Sequence, residues 1–198
     1  VLIASDKELI GAIAIADEIR TEAKMVIAEL NKLGVSSVML TGDNQYSARY
    51  VADRVGITEA KAALSPEDKL TNVVMLQKQY QSVAMVGDGI NDAPALAAAD
   101  LGIAMGSGTD IAIESGGIVL VKNNLQDVVQ ALVLSQKTFG RIKLNLFWAF
   151  IYNTAGVPIA AGLFVWAGLT LSPELAGLAM AFSSVSVVTS SLLLNRTK

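Results

Sequence analysis

Met85-Val86-Gly87-Asp88-Gly89-Ile90-Asn91-Asp92-Ala93-Pro94 is the stretch that decides the fold. The run 82–86 reads as a buried strand, Gly-Asp-Gly as a turn, and Asn-Asp-Ala-Pro as the start of an alanine-rich helix. Strand, acidic turn and helix together describe a site at the carboxyl edge of a parallel sheet, where ligands of α/β folds collect. Gly87 and Gly89 are expected to take positive φ and to bring the backbone close to a ligand. Asp88, Asn91 and Asp92 then offer hard oxygen groups to one small volume. Such a set suits Mg²⁺, which takes one or two carboxylates plus water and phosphate oxygens. An Asp-Gly pair alone signals only a turn; the whole run carries the reading.

Outward from this stretch the chain alternates strands and helices. Strands are expected over 1–4 and 9–16, around a turn at Asp6-Lys7. A helix follows over 17–33, with Ile19, Ala23, Val26, Ile27, Leu30 and Leu33 on one face and Gly34 as its stop. A strand over 35–40 leads into Thr41-Gly42-Asp43-Asn44, then a helix over 46–55 ends at Gly56. A short strand near 61–64 precedes Ser65-Pro66-Glu67-Asp68, where Ser65 is the N-cap, Pro66 the first helical residue and the acids fill the first turn. That helix carries Lys69 and runs to about Tyr80. Strand 82–86, helix 93–99, strand 101–105, helix 109–114 and strand 117–121 complete the series. This alternation predicts a parallel sheet with helices on both faces.

Thr41–Asp43, Lys69 and 88–92 therefore fall at strand ends or helix starts of one sheet. Phosphoryl transfer needs positioning plus charge neutralisation. The Thr41 hydroxyl and the Gly42 N–H can hold phosphoryl oxygens, Lys69 can offset negative charge, and a carboxylate can hold Mg²⁺. Singly, Thr41 could serve a helix start and Lys69 could sit in solvent; their order gives the set its meaning.

Hydrophobic residues make up 53% of the 198 and charged residues 17%, which is too apolar for an ordinary soluble domain. The excess is concentrated. Residues 144–167 carry no charge, and after a loop containing Glu174 neither do residues 175–194. Each run is long enough to cross a hydrocarbon core of about 30 Å as a helix. Lys137, Arg141 and Lys143 flank one side, Arg196 and Lys198 the other, and the loop 168–174 has no Lys or Arg. The positive-inside rule then puts the sheet domain and the C-terminus in the cytoplasm. The expected domains are 1–124, a linking helix over 125–143, and two membrane helices within 144–198.

A net charge of −3 with no basic run argues against nucleic acid as a partner. No cysteine and no histidine are present, so disulfides, Cys or His zinc sites and Cys or His nucleophiles are excluded from this sequence. A start at Val1, inside a strand-like run, predicts a piece of a larger protein.

The motifs support a resemblance. Leu40-Thr41-Gly42-Asp43-Asn44, Pro66-Glu67-Asp68-Lys69 and the run 87–96 resemble the phosphorylation domain of P-type ATPases, within the haloacid-dehalogenase superfamily. The implied fold is a haloacid-dehalogenase-like, Rossmann-like α/β domain followed by a two-helix transmembrane hairpin. The resemblance implies that Thr41, with Gly42 and Asp43, meets an aspartyl phosphate, that Lys69 stabilises its charge, and that Asp88 binds Mg²⁺. Asn91 and Asp92 would support phosphate and metal, with ATP as substrate. Asp17 and Arg20, in Ala-Asp-Glu-Ile-Arg, match a strand-to-helix turn of the same family. The family's nucleophile lies in an Asp-Lys-Thr-Gly-Thr segment, and this sequence has none; the chain alone is expected to form no phosphoenzyme.

Polar groups within membrane spans serve packing or substrate paths. The first span carries Asn145, Tyr152, Asn153 and Thr154, with Pro158 expected to bend it. In the second, Met180, Ser183 and Ser184 share a face at i, i+3 and i+4. Neither apolar interior holds an Asp, Glu, Lys or His. A thioether with neutral oxygen groups suits a soft monovalent ion such as copper(I). Asn145-Leu146-Phe147-Trp148 with Tyr152-Asn153, and Met180-x-x-Ser183-Ser184, resemble the last two spans of copper-transporting heavy-metal ATPases. Zinc and cadmium members carry a lysine and an aspartate there. The resemblance implies a copper path formed by Tyr152, Asn153, Met180, Ser183 and Ser184. By its position and charge Glu174 is expected at the outer mouth, where it would assist metal release. It also implies partnership with the lipid bilayer, a copper chaperone and the transporter's remaining domains. Silver(I) is not separable from copper(I) by ligand softness. The alternatives are a non-catalytic regulatory fragment and a soluble phosphatase, and the two apolar runs oppose the latter.

Overall fold

The computed structural model describes residues 2–5, 8–12, 18–88, 91–106, 117–168, 170 and 172–192. They divide into two compact units, Val1–Val129 and Gln130–Lys198. The expected helix 109–114, Asp17, Gly89, Ile90, Arg196 and Lys198 lie outside the described residues.

In the first unit, β1 (Leu2–Ser5) and β2 (Glu8–Ala12) form an antiparallel hairpin of their own. Helix α1 (Ala23–Lys32) starts six residues later than its apolar pattern suggests, and residues 18–22 stay outside it. Its end is closed by the Gly34 N–H on the Asn31 carbonyl and the Val35 N–H on the Leu30 carbonyl, with Gly34 at φ 77°. That closure uses Val35, so β3 (Val38–Leu40) is shorter than the expected strand 35–40. Helix α2 (Gln45–Val55) is capped by the Asn44 side chain, which accepts from the Tyr46 and Ser47 N–H groups. It ends at Gly56, φ 87°.

Strand β4 (Glu59–Lys61) pairs in parallel with β3. It lies two residues earlier than expected, because 62–64 turn back onto the loop after β3. Helix α3 (Pro66–Gln79) has a full capping box. The Asp68 N–H donates to the Ser65 hydroxyl, and the Asp68 carboxylate accepts from the Ser65 N–H and hydroxyl. Those bonds, the backbone one foremost, hold the Asp68 carboxyl below the usual carboxylate range. The stabilisation is therefore present at neutral pH and is lost as pH falls through the lowered value. Ser65→Ala is expected to cost about 1 kcal/mol in urea unfolding at pH 7, with the difference from the parent chain shrinking at acid pH.

Strands β5 (Ala84–Gly87), β6 (Leu101–Met105) and β7 (Ile118–Leu120) form a parallel sheet in that order, with α4 (Ala93–Ala98) crossing from β5 to β6. The single sheet expected from the alternation is divided: β3-β4 and β5-β6-β7 are separate ladders. They share a core, however. Leu40, the last residue of β3, packs on Val73, Met85, Ala95, Leu96 and Ala104. Burying a side chain such as Leu96, 1% exposed, contributes about 1.5–3 kcal/mol.

The C-terminal elements are α5 (Gln126–Ala160), a 3₁₀ turn (Val165–Ala167) and α6 (Pro173–Leu192). No break separates the expected linking helix from the expected first span. The span expected over 144–167 ends early. Helix α5 stops at Ala160, where Gly162 (φ 82°) and the Leu163 N–H bond to the Pro158 carbonyl close it. The uncharged part, 144–160, is 17 residues, or about 26 Å of helix. Among the described residues one helix, Glu174–Leu192, is long and apolar enough to cross a membrane, with mean hydropathy 1.6. Within this unit Asn145 donates to the Ser191 hydroxyl at 3.1 Å and Arg141 to that of Ser190 at 3.4 Å.

Candidate functional site

The loop after β3 is built by its own hydrogen bonds. Thr41 Oγ1 accepts from the Asp43 N–H at 3.0 Å, and the Thr41 N–H donates to the Lys61 carbonyl. The Leu64 N–H donates to the Thr41 carbonyl and the Ala63 N–H to the Asp43 carbonyl at 2.7 Å. A Cβ on Gly42 would stand 3.4 Å from the Leu64 carbonyl oxygen. Ala63 is held at φ 54°, a left-handed conformation that non-glycine residues avoid. The 61–64 turn thus clamps Thr41–Asp43 at the carboxyl end of β3, with Gly42 and Asp43 exposed.

The second half is an ion pair. Lys69, in the first turn of α3, places Nζ 2.7 Å from Asp92 Oδ1, and both side chains are about 15% exposed. Asp92 caps α4 through its backbone only, since its side chain makes no capping bond. Its carboxylate instead sits over Gly87. A Cβ at position 87 would lie 2.6 Å from Asp92 Oδ2 and 2.8 Å from its Cβ. Gly87 is therefore required for close approach by Asp92, and it does not take the positive φ expected of it.

Asp88 is exposed at the end of β5, one residue beyond Gly87, and Asn91 is exposed ahead of α4. One Asp92 oxygen is on Lys69, and Asp88 places a second carboxylate at the exposed edge of the same turn. Mg²⁺ is content with one or two carboxylates and completes its shell with water and phosphate oxygens. The donors here fit that habit and would not suit an ion needing a full protein cage: no group of three His, Cys, Asp or Glu clusters among the described residues.

In the second unit the expected path residues engage their own helices. Asn153 donates to the Ala149 carbonyl and Ser184 to the Met180 carbonyl. The Tyr152 ring lies 6.2 Å from that of Trp148, and Met180 is 76% exposed. Ser183 is half-buried, and Glu174 is exposed at the start of α6. Pro158 lacks the N–H that would have paired with the Thr154 carbonyl.

Sequence reading missed one constellation. Arg20 donates to the Asn123 carbonyl (2.7 Å) and to its side-chain oxygen (2.9 Å), and Gln126 donates to Glu29 at 2.6 Å. The available signal was the Asn123-Asn124 pair, of which only Asn124 is needed to cap α5.

The site therefore combines parallel ladders with an acidic turn after one strand, Thr-Gly-Asp after another and a lysine on the helix between them. Residues 1–100 match the family model for haloacid dehalogenase-like hydrolases, and the chain belongs to that family. Its relatives narrow the class. The probable copper-transporting ATPase PacS of Synechocystis is 54% identical over 195 residues, 98% of this chain and 26% of that protein. Copper-transporting ATPase 1 of Mus musculus is 52% identical over 194 residues, 98% of this chain and 13% of that protein. Among solved structures, a zinc-transporting PIB-type ATPase in the E2.Pi state superposes with TM-score 0.83 at 40% identity, over 98% of this chain and 31% of that one. The chain thus spans a third or less of the length of each of these proteins.

Proposed function

We propose that this chain is the later part of the phosphorylation domain, and the last two membrane helices, of a P-type ATPase that uses ATP to export copper(I). The observation that carries this reading is the Lys69–Asp92 pair seated on Gly87 beside Asp88, within a chain about half identical to copper-transporting ATPases. In this reading Thr41 and the Gly42 N–H hold oxygens of an aspartyl phosphate. Lys69 offsets its charge. Asp88 holds Mg²⁺, which neutralises developing charge when bound, and Asn91 and Asp92 set the turn that aims it. The phosphorylated Asp belongs to a strand contributed by another part of the transporter. The β3-β4 and β5-β6-β7 ladders are not strand-paired with each other among the described residues, and a strand between them is the natural place for it.

Helices α5 and α6 form the transmembrane hairpin of this reading, with Thr41 to Asp92 on the cytoplasmic side. Large apolar side chains are exposed on both, among them Phe150, Val157, Phe182 and Val185, at 61–67%. Lipid and the other membrane helices would cover them. Copper(I) is favoured over zinc(II) by what Tyr152, Asn153, Met180, Ser183 and Ser184 offer: a thioether and neutral oxygens, with no carboxylate or lysine beside them. Thr154, whose carbonyl cannot accept from Pro158, adds one more neutral oxygen.

The test is metal-stimulated ATP hydrolysis by the longer transporter. Copper(I) should stimulate and zinc(II) should not. Met180→Ala and Tyr152→Phe should each lower copper(I)-stimulated turnover about tenfold or more, in line with the loss of a metal contact. Unchanged turnover and unchanged copper(I) binding in both variants would remove the proposed path.

A further inference from the structure

We infer that Arg20, Glu29, Asn123 and Gln126 form a two-point clamp that transmits the state of the phosphorylation domain to α5; the inference rests on the transporter reading above. The four residues come from opposite ends of the first unit, 103 and 97 positions apart in the two pairs. The Arg20 guanidinium forks onto a single residue, one N–H on the Asn123 carbonyl and the other on its side-chain oxygen. Such a planar fork fixes orientation as well as distance. Three positions on, Gln126 opens α5 and donates through Nε2 to the Glu29 carboxylate. A hydrogen bond to a charged acceptor is among the stronger ones.

One such contact would act as a pivot. Two, separated by nine residues on the α1 side and three on the α5 side, hold the start of α5 at two points within the first unit. Val128 and Val129, buried just after Gln126, press the same turn into the unit's interior. Helix α5 then runs without interruption from Gln126 to Ala160. None of the four residues is Thr41, Lys69, Asp88 or Asp92, or bonds to the Lys69–Asp92 pair in the contacts described above, so the clamp can fail while that pair stays intact.

The test uses the longer transporter and exchanges donor and acceptor. Gln126→Glu sets two carboxylates against each other. Adding Glu29→Gln restores a donor–acceptor pair with its polarity reversed. Phosphoenzyme formed from ATP and copper(I) moved per ATP are measured together. The expected result is phosphoenzyme within about twofold of the parent in both variants. Copper(I) moved per ATP falls about five- to thirtyfold in Gln126→Glu and recovers in the exchange variant. Amide hydrogen exchange at 126–133 should rise in the single variant and return in the double. Unchanged transport per ATP in Gln126→Glu would overturn the clamp. So would loss of phosphoenzyme in both variants, which would make these residues supports of the fold. Absence of copper(I)-dependent phosphoenzyme in the parent transporter itself would instead strike at the transporter reading.

Discussion

Lys69→Ala is expected to have the largest effect of any single substitution in the sheet domain. The Nζ–Oδ1 distance is 2.7 Å and both partners are mostly shielded, so removing the ammonium leaves the Asp92 carboxylate shielded and unpaired. Breaking a fully buried pair costs about 3–5 kcal/mol. With both side chains still in partial contact with water, about 2–3 kcal/mol is expected, read as a lower urea midpoint at unchanged slope. Asp92→Asn should cost less, because an amide keeps an oxygen for the lysine to donate to. In the longer transporter the same Lys69→Ala change should reduce phosphoenzyme formation by about 10²–10³, the scale for removing one preorganised charge from a transition state. A loss under twofold would show that the pair is only structural.

Gly87→Ala is expected to come next, through geometry alone. A methyl group at 87 would meet Asp92 at 2.6–3.1 Å, closer than carbon and carboxylate atoms approach. The carboxylate has to move, and Lys69 with it. Overpacking of this kind costs about 1–3 kcal/mol, and the displaced pair should give a phosphorylation defect approaching that of Lys69→Ala. Gly140→Ala is the natural contrast. It lies inside α5, a Cβ there meets nothing within 4 Å, and the same change should stabilise the helix by about 0.5–1 kcal/mol. Thermal unfolding of the three chains orders them: Gly87→Ala lowest, the parent in between, Gly140→Ala highest.

These effects show what could and could not be read from the residues. Local signals worked wherever the chain carries its own instructions. Ser65-Pro66-Glu67-Asp68 is a capping box in sequence and in structure, Gly34 and Gly56 close their helices, and strand 101–105 falls on its expected residues. Where a distant partner decides, the pattern misled. Helix α1 loses its expected first turns while Arg20 reaches Asn123, 103 residues away. The role of Gly87 was assigned to φ and belongs instead to the approach of Asp92, a contact that depends on how α4 returns to β5. The division of the sheet was not legible either, since strand pairing is non-local and the alternation of elements does not reveal where a ladder is interrupted. Within the membrane-like part, composition marked the two apolar runs. It did not show that Gly162 would close the first helix at Ala160.

Of the candidate site, the residue types were legible and the pairings were not. Asp88, Asn91 and Asp92 read as oxygen donors to one small volume, and the resemblance gives Mg²⁺ to Asp88 with Asn91 and Asp92 in support. In the structure the Asp92 carboxylate pairs with Lys69, and Asp88 and Asn91 are exposed at the sheet edge. In the proposed mechanism Asp88 serves Mg²⁺ and Asp92 holds the lysine that meets the phosphate.

The most direct test is the acid-stable phosphoenzyme formed from labelled ATP by the longer transporter, with copper(I) or zinc(II) as the only transition metal present. The expected result is a phosphoenzyme that needs both Mg²⁺ and copper(I) and disappears in Asp88→Ala. A phosphoenzyme driven by zinc(II) and not by copper(I), or one that persists in Asp88→Ala, would contradict it.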